Sequence, residues 1–101
     1  MKGKTKNLRK LEKNRYSILT DDLTTCFICK RPKEDLHEIF EGANRQQSMK
    51  HGLVLPLCRR CHQNIHSNNQ LNLQYKRIGQ SKFEETHTRE EFIKIFKRNY
   101  I

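Results

Sequence analysis

The chain has 101 residues, 34% of them hydrophobic, and contains no tryptophan. A chain of this length is at most one domain with a modest core, and such small domains are often stabilised by a bound metal ion. The 21 lysines and arginines outnumber the 11 aspartates and glutamates, which gives a formal charge of +10. This excess indicates a polyanion such as nucleic acid as the partner, although ribosome-associated proteins and some other soluble proteins share it.

Two absences in the sequence bear on its location. No apolar run approaches the roughly 20 residues that cross a bilayer, and no apolar segment follows the basic N-terminus. We therefore expect no membrane span, no secretory signal and a cytoplasmic protein. In a reducing compartment, paired cysteines favour metal binding over disulfides.

Residues 1–20 begin the chain with a strongly basic segment. Lysine and arginine dominate its first 15 residues, where only Leu8 and Leu11 offer apolar side chains for packing. Such a segment is either a helix that orders on DNA or a solvated tail. We predict a basic N-terminal arm or helix here.

A first strand is predicted from Leu36 to Phe40, where apolar and polar positions alternate. The alternation places Leu36, Glu38 and Phe40 on one face of the strand. His37 and Ile39 then share the opposite face.

A helix and a returning strand are predicted after the first strand. Residues 43–50 are long enough for about two helical turns, and Gly52 stands where a glycine often ends a helix. Residues 53–57 favour the returning strand, with Pro56 at a sheet edge or at the strand's exit because proline donates no backbone hydrogen bond. From Arg59 the pattern favours a helix.

The C-terminal third is predicted to be helical. A helix is indicated over residues 71–83, with Gly79 weakening the pattern. Thr88 and Glu91 have the spacing of a capping box, and Phe92, Ile95 and Phe96 follow at helical spacing. We expect these three apolar side chains to pack on the core.

All four cysteines belong to two CxxC pairs with 28 residues between them. Each pair can supply two thiolates to a tetrahedral Zn²⁺ ion. The gap exceeds the 15–20 residues of a simple zinc ribbon and must hold an inserted unit. The sequence therefore predicts a structural zinc site formed by Cys26, Cys29, Cys58 and Cys61.

Two other interpretations of the cysteines are less well supported. Cys58 to His62 spells CxxCH, the sequence to which c-type haem is attached, but this use requires export and leaves the first pair unexplained. A thioredoxin-like redox site uses one CxxC pair, not two. Zinc accounts for both pairs together.

The remaining histidines suggest a second metal site. His62 and His66 lie four residues apart and would share one face of the predicted helix, where they can chelate a divalent ion. His37 and Glu38 lie on the strand that the zinc site brings near the start of that helix. His51 and His87 have no such context and remain unassigned.

The segment LHEIFEGANRQQSMKHGLVLPLCRRCHQNIH, with the two CxxC pairs, resembles the HNH endonucleases, especially small forms found in bacteriophages and prophages. The resemblance covers about residues 24–68. It implies an α+β protein with a ββα-metal core at residues 21–70, to which residues 71–101 add a helical extension. It also implies cleavage of DNA with one divalent ion, in the cytoplasm of a bacterial host.

The resemblance assigns roles by position. His37, His62 and His66 match histidines that bind the catalytic ion, which could be Mg²⁺, Mn²⁺, Ni²⁺ or Zn²⁺. Glu38 stands where the family usually has its histidine general base, and the region expected to hold the middle Asn reads His51, Gly52 and Leu53. The catalytic set implied is His37, Glu38 and His62.

The identity of the general base stays open between two residues. Glu38 could act as the base if its environment raised its pKa above the usual 4.3. Alternatively, Glu38 binds the metal ion, and His37 activates the water.

The expected partner is DNA, without a small-molecule cofactor, and the oligomeric state is left open. Four basic residues lie close enough in sequence to the metal ligands to hold flanking phosphates. They are Arg45, Lys50, Arg59 and Arg60. Phosphate contacts give affinity and salt dependence with little sequence readout.

Two other functions are compatible with the sequence. The departure at Glu38, together with the charge, also suits a non-catalytic zinc module of phage origin that binds nucleic acid or a packaging component. A structural or scaffold role is the third alternative.

Overall fold

The computed structural model describes residues 6–101, and within that range five α-helices accompany one two-stranded antiparallel sheet. The elements in chain order are α1 (Lys6–Lys13), β1 (Asp35–Glu38), α2 (Arg45–Lys50), β2 (Val54–Leu57), α3 (Arg59–Ser67), α4 (Asn69–Phe83) and α5 (Arg89–Phe96). The predicted α+β class is confirmed. Of the predicted basic arm, residues 1–5 lie outside the described residues, and α1 begins directly after them.

The sheet and the helix that follows it have the order strand, strand, helix. Asp35 of β1 lies opposite Leu57 of β2, and Glu38 lies opposite Val54. The strand β1 ends at Glu38, two residues before the predicted end at Phe40. The backbone N–H of Phe40 donates to Ser48 Oγ at 3.0 Å and not to the neighbouring strand.

Burial along β1 follows the predicted alternation only in part. His37 and Ile39 share the buried face, with 2% and 0% of their surface exposed. Leu36 and Glu38 on the other face are half-buried, whereas Phe40 is buried after the strand has ended. The histidine of β1 therefore points into the protein.

Gly52 ends the connection from α2 to β2 in a conformation that a side chain would disturb. Its φ angle is +71°, in the left-handed region that favours glycine. A Cβ atom at this position would lie 2.5 Å from Cε2 of Tyr16. The close approach of Tyr16 is thus possible because residue 52 has no side chain.

The two C-terminal helices begin at side-chain caps. Asn68 Oδ1 accepts from the backbone N–H of Leu71 at 3.1 Å, so α4 begins at Asn69 and not at residue 71 as predicted. The predicted capping box of α5 is confirmed. The N–H of Glu91 donates to Thr88 Oγ1 at 3.1 Å, and the N–H of Thr88 donates to Glu91 Oε1 at 2.8 Å.

One hydrophobic core joins the sheet to these helices. The ring of Phe40 lies 5.3 Å from that of Phe92 and 4.7 Å from that of Phe96. Phe92 and Phe96 are buried as expected, and Ile95 packs partly buried against the same cluster. Among residues 6–101, no helix is both long enough and apolar enough to cross a bilayer.

Candidate metal centres

The first CxxC pair is held in a tight turn. The backbone N–H of Cys26 donates to the carbonyl of Arg31 at 2.7 Å, and the N–H of Lys30 donates to the carbonyl of Cys26 at 3.1 Å. The turn requires Lys30 to adopt a φ angle of +69°, which is unfavourable for a residue with a Cβ atom. This geometry directs both cysteine side chains to one side of the turn.

The second pair opens α3. Cys58 is the N-cap of this helix, and its Sγ accepts from the backbone N–H of Cys61 at 3.5 Å. The two turns are joined through β2, because the N–H of Phe27 donates to the carbonyl of Pro56 at 2.8 Å. Pro56 lies opposite Leu36 in β2, which is an edge strand of this two-stranded sheet, as predicted.

The four sulfurs converge. They lie within 4.8 Å of one another, and Cys29 Sγ is 3.5 Å from Cys58 Sγ. Tetrahedral zinc with bonds of about 2.3 Å places its sulfurs about 3.8 Å apart. None of these cysteines forms a disulfide, so together they could hold a metal ion such as zinc.

Backbone donors favour the thiolate at Cys26. Burial by itself would raise the pKa of this thiol, but N–H groups of Cys29, Cys58 and Ile28 lower it to about 6. Metal binding requires the deprotonated form, so these donors fit the site to a cation.

Three histidines form a second cluster at the junction of β1 and α3. The candidate ligand atoms of His37, His62 and His66 lie within 4.8 Å of one another. The Nε2 atoms of His62 and His66 are 3.1 Å apart, close to the roughly 3.4 Å between two nitrogens on a tetrahedral zinc ion. His66 is exposed, so the cluster opens to solvent on one side. The predicted grouping of these histidines is thus present.

His37 contributes a buried nitrogen that has no protein partner. Its Nε2 makes no hydrogen bond, although its ring lies 5.1 Å from that of His62 and 5.6 Å from that of His66. Burial, with the neighbouring His62 ring, lowers the pKa of His37 to about 4. A neutral imidazole with an unused buried lone pair fits a metal ion.

Asp35 orients one member of the cluster and was missed in the sequence. Its Oδ2 lies 3.1 Å from His62 Nδ1, so Nδ1–H donates to the carboxylate and Nε2 is left free for the cluster. This hydrogen bond, followed by those from Arg59, lowers the pKa of Asp35. The available signal was its position two residues before His37, on the same face of the strand.

Glu38 does not join the histidines. Its carboxylate accepts from Arg15 Nη1 at 2.6 Å and from Arg45 Nε at 2.8 Å. Arg45 also pairs with Glu12 of α1. Glu38 therefore belongs to a partly buried ionic network on the other side of β1.

Glu41 was not identified from the sequence. Its Oε1 pairs with Lys76 Nζ at 2.9 Å, while its buried Oε2 has no hydrogen-bond partner. Glu41 also acts on His37. The negative charges of Glu41 and Glu38 both oppose the lowering of the His37 pKa, and Glu41 has the larger effect. Nothing in the residue pattern distinguishes Glu41 from the other surface carboxylates.

The four basic residues predicted to contact phosphate differ in whether they already form ion pairs within the protein. Arg45 is engaged by Glu12 and Glu38, and Arg59 pairs with Asp35 at 3.3 Å. Lys50 and Arg60 are exposed, and within the described part of the chain no ion pair involves them.

The two unassigned histidines lie elsewhere. The ring of His87 stacks on that of Phe83 at 4.0 Å, and the ring of His51 lies 5.6 Å from Phe83.

Comparison of the chain with protein-family models, with curated proteins and with solved structures finds no match.

Proposed function

We propose that the protein is a metal-dependent endonuclease that hydrolyses phosphodiester bonds in DNA. The observation that carries this proposal is the buried, unpartnered Nε2 of His37 beside His62 and His66. The four cysteines already provide a site for a structural ion, so this second, solvent-open cluster suits a different task. The HNH resemblance of residues 24–68 supports the same function.

His37, His62 and His66 would hold the catalytic ion. A divalent ion bound there supplies Lewis-acid stabilisation of the phosphate and of the leaving oxygen. Asp35 keeps His62 in the tautomer whose Nε2 is free. The exposed side of His66 gives a substrate phosphate access to the cluster.

Glu38 and Glu41 are the two candidates for the general base that deprotonates the attacking water. Arg15 and Arg45 each hold one oxygen of Glu38, so neither carboxylate oxygen is left free to contact a water molecule at the histidine cluster. Glu41 keeps one oxygen without a partner and acts electrostatically on His37. We therefore favour Glu41 over Glu38 as the base, with His37 serving as a ligand.

The choice of DNA as substrate rests on charge and on the resemblance. The chain carries a formal charge of +10, and Lys50 and Arg60 are exposed cations free to contact phosphates. Contacts of this type provide affinity without sequence readout. Cleavage with little sequence preference is the expected outcome.

A plasmid-nicking assay tests the proposal. Purified protein is incubated with supercoiled plasmid and Mg²⁺, Mn²⁺, Ni²⁺ or Zn²⁺, beside the variants His66→Ala and His87→Ala. His66→Ala should lose at least about a hundredfold in nicking rate, since a catalytic metal ligand is removed. His87→Ala, a histidine outside the cluster, should retain the rate. If wild-type protein nicks no faster than His66→Ala with any of the four ions, the enzyme proposal is wrong.

The ionic network at Glu38 also favours a second candidate function. Because the residue at the family's usual base position is held by Arg15 and Arg45, a zinc module that binds DNA without cutting it is compatible with the same fold. This candidate predicts salt-sensitive DNA binding and no nicking with any ion.

A further inference from the structure

Helix α1 is an unusual component of so small a domain. None of its residues is buried, and its like charges lie four residues apart at Lys6 and Lys10 and again at Arg9 and Lys13. Such pairs destabilise a helix, and eight residues are too few for a stable isolated helix. The helix therefore depends on the rest of the protein for its position.

Two sets of contacts hold α1 and the residues after it in place. Glu12 pairs with Arg45 of α2, and Arg15 donates to Glu38 of β1 at 2.6 Å. The hydroxyl of Tyr16 donates to the carbonyl of Lys50 at 2.9 Å. The basic helix is thus fixed against α2 and against the strand that carries His37.

A groove separates α1 from α2. Its lining consists of two lysines, three primary amides and three apolar or aromatic side chains. The lining residues are Asn7, Lys10, Leu11, Asn14, Tyr16, Gln46, Met49 and Lys50. No carboxylate lines this groove, and no ion pair within residues 6–101 involves either lysine. The groove therefore offers positive charge and hydrogen-bond donors that no protein anion neutralises.

We propose that this groove, which we call the α1–α2 groove, binds the backbone of duplex DNA. Lys10 and Lys50 on its two sides neutralise phosphates, and the amides of Asn14 and Gln46 donate to phosphate oxygens or to base edges. Tyr16, with 47% of its surface exposed, adds an aromatic face. The choice of DNA as ligand rests on the proposed function, but the location of the surface does not.

At two alternative positions for DNA contact, the basic residues already have partners within the protein. Arg59 is exposed but already pairs with Asp35. In the groove beside α4, Lys82 already pairs with Glu85 at 3.0 Å, and the side chain of Arg77 donates to the carbonyl of Tyr100. The α1–α2 groove combines lysines that have no ion-pair partner among residues 6–101 with a helix anchored through Glu12.

Fluorescence anisotropy with a labelled duplex tests the inference, using full-length zinc-loaded protein without added Mg²⁺ or Mn²⁺. The groove variant Lys10→Ala/Lys50→Ala is compared with Lys82→Ala/Lys94→Ala, which removes the same charge from the C-terminal helices. The groove variant should bind about tenfold more weakly, and its slope of log affinity against log salt should fall by about two. The neutral variant Asn14→Ala/Gln46→Ala should weaken binding while leaving that slope unchanged.

The outcomes separate this inference from the proposed function. Equal losses in the two lysine variants, or no loss in the groove variant, would overturn the groove as the DNA surface. If the wild-type protein nicks no plasmid but the groove variant alone loses DNA affinity, the groove stands and the nuclease proposal fails. If the wild-type protein nicks plasmid and the groove variant binds DNA as tightly as wild type, the nuclease proposal stands and the groove fails as the DNA surface.

Discussion

At the scale of single residues, His37 and Asp35 together define the candidate catalytic cluster. His37 supplies a neutral, buried nitrogen without a partner, and Asp35 sets the tautomer of His62 from the same face of β1. Hydrogen bonds of this type behind a metal ligand typically contribute 10- to 100-fold to metal affinity or activity. Asp35 is therefore a positioning residue whose removal should affect metal binding more than folding.

The role of Asp35 is testable by titrating Mn²⁺ or Ni²⁺ into zinc-loaded protein. Asp35→Ala should weaken binding of the added ion by about 10- to 100-fold, and Asp35→Asn should recover part of the loss because the amide oxygen still accepts from His62 Nδ1–H. Glu34→Gln serves as the control, since Glu34 contacts Arg59 and not His62. Equal affinity in wild type and Asp35→Ala would contradict the role.

Lys30 stores backbone strain in the first cysteine turn. Its φ angle of +69° costs a residue with a Cβ atom roughly 1–2 kcal/mol, a cost that glycine avoids. After the entropy of the unfolded glycine chain is subtracted, Lys30→Gly should raise the free energy of unfolding by about 0.5–1 kcal/mol. Denaturant unfolding of the zinc-loaded protein measures this. Lys33→Gly, at a position without positive φ, should lower it instead.

At the scale of elements, β1 divides two tasks between its faces. One face carries His37 and Asp35 toward α3, and the other carries Glu38 into the network with Arg15 and Arg45. Hydrogen bonds to Glu12 and Glu38 raise the pKa of Arg45, so this guanidinium stays protonated. This strand therefore links the candidate metal cluster to the basic helix α1.

Replacing Glu38 should reveal a structural effect. Glu38→Gln leaves Arg15 and Arg45 without their shared anion in a partly buried site, and we expect the free energy of unfolding to fall by about 2–3 kcal/mol. Denaturant melts of Glu38→Gln, Arg45→Met and the double variant form a cycle. A clear coupling energy supports the network. Normal stability of Glu38→Gln with complete loss of nicking would instead identify Glu38 as the base.

The sequence predicted most elements because their signals are local. The capping box at Thr88 and the glycine at residue 52 follow from short-range rules, and the spacing of His62 and His66 follows from the helical repeat. The partners of Glu38 could not be predicted, because Arg15 lies 23 residues away and meets it only through the tertiary fold. The pairing of Glu41 with Lys76 is hidden for the same reason.

At the scale of the whole molecule, the cysteine cluster and the aromatic core support one site between them. Cys26, Cys58 and Cys61 belong to the same buried cluster as Phe40, Phe83, Phe92 and Phe96. A metal ion on the cysteines therefore consolidates the start of α3, and α5 covers the segment that follows β1. His62 lies in α3, and His37 lies in β1. Loss of the ion from the cysteines should therefore loosen the histidine cluster.

The central claim is that the chain carries two metal sites with separate roles. The most direct measurement is the metal content of zinc-loaded protein after equilibrium dialysis against Mn²⁺ or Ni²⁺, in wild type and in His66→Ala. The two-site account predicts one zinc ion plus one added ion per chain in wild type. In His66→Ala, it predicts one zinc ion with the added ion largely lost. A single ion per chain in both proteins, with no binding of the added metal, would contradict it.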